Sequence, residues 1–321
     1  MQDSQKLWLI RTLFVGMSVL CGCMTHVSEQ TSESGHSAVD EPQAASGRRR
    51  FFSAVSSSAA ATQKASDSAS QQVAQNSPDD LFLFQPAKFP TGNWQPARLQ
   101  YSDEWIDVDK EKIHAWYCPV DPEQRRACLL YCHGNAGNIS YLAAYLAALQ
   151  KAKIAVLAFD YRGYGKSEGK PSKDGILRDA SAARTRFATL AGVTEDEIVL
   201  MGRSLGGAVA VQLASQKQSR GLILESTFAS YSETAAFHFP KLAWLVPKDK
   251  LNSVETIQAY HGPLLQSHGD ADRVIPYEFG QKLFRAANEP KKFVTIPRGD
   301  HNDPQSGEYF LAFSRFIDEL P

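Results

Sequence analysis

From residue 81 to the C-terminus, short, nearly unbroken apolar segments alternate with stretches whose apolar residues recur at helical spacing. The apolar segments are Ile113–Cys118, Ala127–Tyr131, Ile154–Asp160, Ile198–Gly202, Gly221–Glu225, Pro263–Ser267 and Lys292–Ile296. A strand covered on both faces has no polar side to show, so it reads as a continuous apolar run. Between the runs, Leu142, Tyr145, Leu146 and Leu149 share one helical face, and Ile176, Ala180, Ala183, Phe187 and Leu190 share another. Phe310, Phe313, Ile317 and Leu320 close the chain at the same period and are expected in the core. This order predicts an α/β fold over 81–321, with a mostly parallel sheet of about eight strands and helices on both faces.

Composition removes several function classes. The 321-residue chain is 43% apolar, enough for a core, and its 34 Lys and Arg balance 35 Asp and Glu to a net charge of −1. There is no bulk field to gather nucleic acid, so none is expected as a partner. The five cysteines lack paired C-x-x-C spacing, and neither a metal nor another cofactor is expected.

The N-terminus has a different character. Lys6 and Arg11 precede an apolar run from Leu13 through Leu20 that ends at Cys21-Gly22-Cys23, a signal-peptide layout too short to span a bilayer comfortably. Leu20-Cys21-Gly22-Cys23 resembles the lipobox of bacterial lipoproteins, which implies cleavage after residue 22, lipidation of Cys23 and attachment to a membrane of the cell envelope. Cys21 stands where a small non-thiol residue is usual. Residues 24–80 are rich in Ser and Ala and have almost no hydrophobic period, as expected of a flexible tether. Arg48-Arg49-Arg50 within it reads as a solvated basic patch. Export would permit a disulfide among Cys118, Cys128 and Cys132, although three thiols cannot all pair.

The chemistry-bearing residues lie at strand ends. Ile198-Val-Leu-Met-Gly202-Arg203-Ser204-Leu205-Gly206-Gly207 is a strand, a G-x-S-x-G turn and a helix start. Such a turn needs small residues so that neighbouring backbone can approach, which assigns Gly202 and Gly206 to the elbow and lifts the Ser204 hydroxyl outward. The Leu205 N–H then heads the helix and faces the place where an oxyanion would form. A serine hydroxyl needs a base, and the base needs an orienting acid. His301, in Arg298-Gly299-Asp300-His301, sits between the last strand and the terminal helix and is the candidate base. Asp270 and Asp272, after the preceding strand, compete for the acid role.

Four segments, His133-Gly-Asn-Ala-Gly-Asn138, Asp160-Tyr-Arg-Gly-Tyr-Gly-Lys-Ser-Glu-Gly169, Gly202-Arg-Ser-Leu-Gly-Gly207 and His268-Gly-Asp-Ala-Asp272, resemble the α/β-hydrolase branch that includes ABHD-type protein depalmitoylases and serine aminopeptidase-like proteins. The resemblance covers nearly all of 81–321. It implies the α/β-hydrolase fold, a Ser204–Asp272–His301 triad and hydrolase chemistry on a small-molecule or acylated substrate. Asp272 fits the pattern H-G-x-x-D-x-x-V/I-P. The loop after His133-Gly134 falls where this family places a second oxyanion donor, making Asn135 the candidate and Ala136 the alternative, while His133 braces the loop. Asp160–Gly169 reads as a structural excursion. About forty residues separate Glu225 from Pro263, short for a cap domain. Phe237, Phe239, Trp244 and Leu245 within them suit either an apolar wall beside the serine or ordinary core packing. The expected activity is hydrolysis of a carboxylic ester or thioester through an acyl-enzyme. A peptidase on the same triad and a non-catalytic envelope-binding lipoprotein are the alternatives, and the oligomeric state is left open.

Overall fold

The computed structural model describes residues 83–241, 244, 246–247 and 251–321. The signal-like segment with Cys23 and the tether over 24–80 lie outside the described residues. A short strand β1 (Gln85–Pro86) is followed by β2 (Ser102–Val108), β3 (Glu111–Cys118), β4 (Ala127–Cys132), a two-residue β5 (Ala136–Gly137), β6 (Ile154–Phe159), β7 (Ile198–Arg203), β8 (Gly221–Glu225), β9 (Leu264–Gly269) and β10 (Lys291–Ile296). Eight of them form one sheet in the order β10-β9-β8-β7-β4-β6-β3-β2, and β1 pairs with β5 in a separate ribbon. β2 and β3 run antiparallel to each other, as do β3 and β6, and the other five pairings of the large sheet are parallel.

The fully apolar runs are the central strands, and every residue of β4 and β6 is buried. Their side chains alternate between two cores. Leu130 and Leu157 face the core that holds Ile176, Phe187 and Leu283, whereas Leu129 and Val156 face the one that holds Leu146, Phe313 and Ile317. Helices α1 (Ala143–Lys151) and α7 (Gly307–Glu319) therefore cover one face, and α2 (Lys173–Ala191), α3 (Leu205–Gln216) and α6 (Tyr277–Ala286) the other. α2 starts at Ser172, whose side chain accepts from Gly175 N–H, and stops at Gly192 in the left-handed region.

Several expectations need correction. β2 was not foreseen, because its Ser-Asp-Glu-Trp-Ile-Asp-Val sequence buries only Ile106 and Val108 and lies at the sheet edge. β9 runs through Gly269, so His268 belongs to the strand and not to the following loop. In α7 the buried stripe is Tyr309, Ala312, Phe313 and Ile317, while Phe310 is 46% exposed and not core. Phe310 follows Tyr309 directly, and one helical step carries it off the stripe. Cys118, Cys128 and Cys132 are all free and buried, and no disulfide joins them.

Between β8 and β9 the chain forms α4 (Tyr231–His238) and α5 (Ser253–Thr256). Phe237 and Trp244 there are 54% and 79% exposed, which rules out core packing for both; Leu245 lies outside the described residues. Among the described residues no helix is long and apolar enough to cross a membrane, and no cluster of three or more His, Cys, Asp or Glu side chains could hold a metal ion.

Candidate active site

Ser204 occupies the single residue between β7 and α3, with φ 54° and ψ −120°, a region that side-chain-bearing residues enter only under constraint. The constraint comes from both sides. Its N–H donates to the Glu225 carbonyl of β8 at 2.9 Å, and Ser204 O accepts from Gly207 N–H at 3.0 Å. The two elbow glycines are required by contact. A Cβ on Gly202 would strike the Gly206 carbonyl, and a Cβ on Gly206 would strike the carbonyls of Cys132 and His133. The first turn of α3 thus lies directly on the backbone that leaves β4.

That backbone is the His133–Asn138 loop. Gly134 passes beside the elbow, with its Cβ direction 3.7 Å from Ser204 Cβ. His133 is buried and braces the loop, its Nδ1 bonded to the Gly134 carbonyl at 2.7 Å and its ring packed on Tyr161 and Tyr164. Burial holds its imidazole below the usual range against the opposing pull of Asp160 and the Gly134 carbonyl, which suits a neutral brace. The Asn135 side chain donates to the Leu83 carbonyl at 3.2 Å, so it points into the fold's own backbone. Among the described residues neither the Asn135 N–H nor the Leu205 N–H has an acceptor.

Asp272 and His301 meet beyond the ends of β9 and β10. His301 Nδ1 lies 2.8 Å from Asp272 Oδ2, and Asp272 Oδ1 accepts from Val274 N–H at 2.9 Å and Ile275 N–H at 2.8 Å. Burial alone would raise the Asp272 carboxyl. Hydrogen bonds from His268 and His301, the His301 charge and the Ile275 N–H outweigh it and hold the group well below the usual carboxylate range. Asp270 instead accepts from the Arg298 N–H, and Asp300 accepts from Arg273 Nε at 2.7 Å, so these two carboxylates zip the loops together. The arrangement selects Asp272 over Asp270 as the partner of His301. The Ser204 hydroxyl and the His301 imidazole are not hydrogen-bonded to each other in this structure. The segments that carry them are joined by Arg203, next to Ser204 in the turn, whose guanidinium donates to the His301 backbone carbonyl.

Two contributors escaped sequence reasoning. His268, fully buried, bonds the Ile275 carbonyl at 2.8 Å and lies 3.2 Å from Asp272 Oδ2, so the Asp272 carboxylate sits between two imidazoles. Its signal was present as the first residue of H-G-x-x-D. Glu225, also buried, accepts from Tyr145 OH at 3.1 Å directly behind the elbow; desolvation raises its carboxyl, and Arg203 and the tyrosines offset only part of that. The Asp160–Gly169 excursion is fastened by its own polar groups. Ser167 Oγ donates to the Asp160 carbonyl at 2.7 Å, and Arg162 clamps Asp179 of α2 at 2.7 Å.

Comparison with known proteins agrees with this architecture. Residues 123–256 match a family model described as serine aminopeptidase, S33. An uncharacterized Mycobacterium tuberculosis protein is 38% identical over 243 residues, spanning 72% of this chain and 85% of that protein. WAV2 of Arabidopsis thaliana, an alpha/beta hydrolase domain-containing protein, is 35% identical over 231 residues, spanning 65% of this chain and 75% of that one. The chain belongs to the α/β-hydrolase family. Among solved structures, an esterase of Pyrococcus furiosus superposes with a TM-score of 0.62 at 20% identity, covering 74% of this chain and 97% of the esterase, which places the same fold around a different sequence. In this α/β-hydrolase, the Ser204 elbow, the Asn135 loop and the Asp272–His301 pair all lie at the C-terminal ends of the parallel strands, where ligands of open α/β sheets bind.

Proposed function

We propose that this α/β-hydrolase is a serine hydrolase that cleaves carboxylic ester or thioester bonds through an acyl-enzyme. The observation that carries the reading is the constrained Ser204 at the head of α3, with the N–H groups of Leu205 and Asn135, which have no acceptor among the described residues, on adjoining segments. The Asp272–His301 pair, tied to the same turn through Arg203, supports it.

In the proposed reaction His301 takes the Ser204 proton as Oγ attacks the substrate carbonyl, while Asp272 holds the ring and balances its positive charge. The tetrahedral oxyanion rests between the N–H groups of Leu205 and Asn135. Collapse breaks the bond to the leaving alcohol or thiol, which carries off the proton from His301 and leaves Ser204 acylated. His301 next takes a proton from water, whose oxygen attacks the acyl carbon; the acid departs and the hydroxyl is restored. A peptidase acting through the same residues is the second reading, favoured by the description of the matching family model.

The test is a fluorophosphonate probe on wild type and Ser204→Ala, followed by p-nitrophenyl esters of graded chain length and aminoacyl amides. Labelling and ester turnover that vanish in Ser204→Ala are expected. An unlabelled wild type under conditions where other serine hydrolases label would refute the reading, and turnover of amides alone would favour the peptidase. We also propose lipidation at Cys23 and an extracytoplasmic catalytic unit, from the signal-like pattern alone. Labelled palmitate incorporated into the wild type and equally into Cys23→Ala would overturn that assignment.

A further inference from the structure

The chain enters the described fold beside the Asn135 loop. Gln85 N–H donates to the Asn135 carbonyl at 3.0 Å, and the Asn135 side-chain amide donates back to the Leu83 carbonyl at 3.2 Å. One step on, Ala87 N–H donates to the Gly137 carbonyl at 3.0 Å, and Asn138 Nδ2 donates to the carbonyls of Ala87 and Thr91 at 3.1 and 2.9 Å. The same segment is laced to the neighbouring excursion, since Phe89 N–H donates to the Gly165 carbonyl and Gly165 N–H to the Ala87 carbonyl, both at 3.0 Å. Tyr164, from that excursion, completes the set by donating its hydroxyl to the Asn135 carbonyl at 2.8 Å.

We infer that residues 83–91 form a positioning strap for the second oxyanion donor, with Tyr164 as its brace. The inference rests on the serine hydrolase reading and deepens it. Asn135 has polar groups besides its backbone N–H that could compete for a partner or turn the peptide. The strap takes up the side-chain amide, and the strap and Tyr164 together saturate the carbonyl from two directions. Among the described residues the N–H is left without an acceptor, and it is fixed in direction because a residue whose carbonyl is held on one side and whose side chain is held on the other has little freedom to rotate. A donor fixed before substrate arrives needs no reorganisation as charge develops, and this is where oxyanion stabilisation gains its strength. The β1–β5 ribbon, too short to contribute much to the core, acquires a purpose on this account.

The strap is tested on the full chain with Tyr164→Phe, Gln85→Pro, which removes the N–H given to the Asn135 carbonyl, and Asn135→Ala, which removes the side-chain tie but keeps the backbone donor. Steady-state ester hydrolysis is measured beside inhibition by a trifluoromethyl ketone, whose adduct with the serine carries an oxyanion, and beside thermal unfolding. The expected result is a fall in kcat of about tenfold or more with KM within about twofold, and ketone affinity falling in step with kcat, on the scale of a weakened oxyanion contact. A merely structural role predicts a lower unfolding temperature with kcat per fluorophosphonate-titrated site unchanged, and that result overturns the inference. Should Gln85→Pro fail to fold, Tyr164→Phe and Asn135→Ala still decide the matter. Wild type that neither labels nor turns over ester removes the hydrolase reading and the strap's role with it. Active wild type with unaffected variants removes the strap alone.

Discussion

Arg203 donates from the Gly202–Gly206 turn to the backbone carbonyl of His301, spanning 98 residues of sequence to join the two segments that the proposed chemistry needs side by side. Arg203→Gln should therefore let the His301 loop drift from Ser204. We expect kcat/KM on an ester to fall about tenfold, in keeping with the sensitivity of a positioned base to displacement. Fluorophosphonate labelling should persist but slow. Arg203→Lys, which keeps a donor, should recover part of the loss, and equal rates in all three proteins would refute the coupling.

The choice between the two neighbouring carboxylates can be read in kinetics. Asp272→Asn leaves His301 Nδ1 without an anionic partner and should lower kcat by roughly 10³-fold or more, as for other triads that lose their acid. Asp270→Asn keeps an acceptor for the Arg298 N–H and should leave kcat within about twofold, the range of a peripheral change. The reverse ranking would move the acid to residue 270.

Asp272 also shapes stability against pH. Its folded-state carboxyl is held down, so the stability it contributes is fully present above the unfolded carboxyl value of about 4 and is lost as pH falls toward the folded one. Unfolding temperatures of wild type and Asp272→Asn should therefore differ most near neutral pH and converge in acid. A gap that widens on acidification would contradict this sign.

Glu225 carries the opposite sign. Burial raises its folded-state carboxyl, so its contribution is fully present below the unfolded value and is lost as pH rises through the folded one. Glu225→Gln keeps an acceptor for Tyr145 and removes the buried charge. We expect the variant to unfold at the same temperature as wild type near pH 4 and at a higher temperature than wild type near pH 8. Thermal scans at the two pH values check this, and a variant that loses ground to wild type on going to the higher pH would reverse the assignment.

The elbow glycines give a paired test of packing. Gly206→Ala drives a methyl group into the Cys132 and His133 carbonyls and should cost about 1–3 kcal/mol of stability, the usual toll of overpacking. Gly307→Ala, at the open start of α7 with nothing within 4 Å of the new methyl, should gain about 0.5–1 kcal/mol from helix propensity. Chemical denaturation of both variants checks the contrast.

What could be read from sequence follows from how local each signal is. The central strands were legible because burial on both faces strips them of polar residues, and Ser204 and His301 because each sits in a short, glycine-marked turn. Edge strand β2 was not, since solvent on one side and a charged rim leave only Ile106 and Val108 to betray it. His268 was visible as a letter in a motif, but its hold on Asp272 depends on β9 continuing two residues beyond its apolar run. The strap was the least accessible feature. Its bonds are made largely by backbone atoms of a segment with no hydrophobic period, and such atoms are the same in every sequence.

The three buried thiols are packing residues, not reactive groups. Burial pushes Cys118 and Cys132 up to about 12 and raises Cys128 as well, so none offers the thiolate that oxidants and disulfide exchange require. With no cross-link among them, they tie no separate parts of the described fold together. They serve instead as small apolar side chains packed in the cores on either side of the sheet, Cys128 and Cys132 in one and Cys118 in the other.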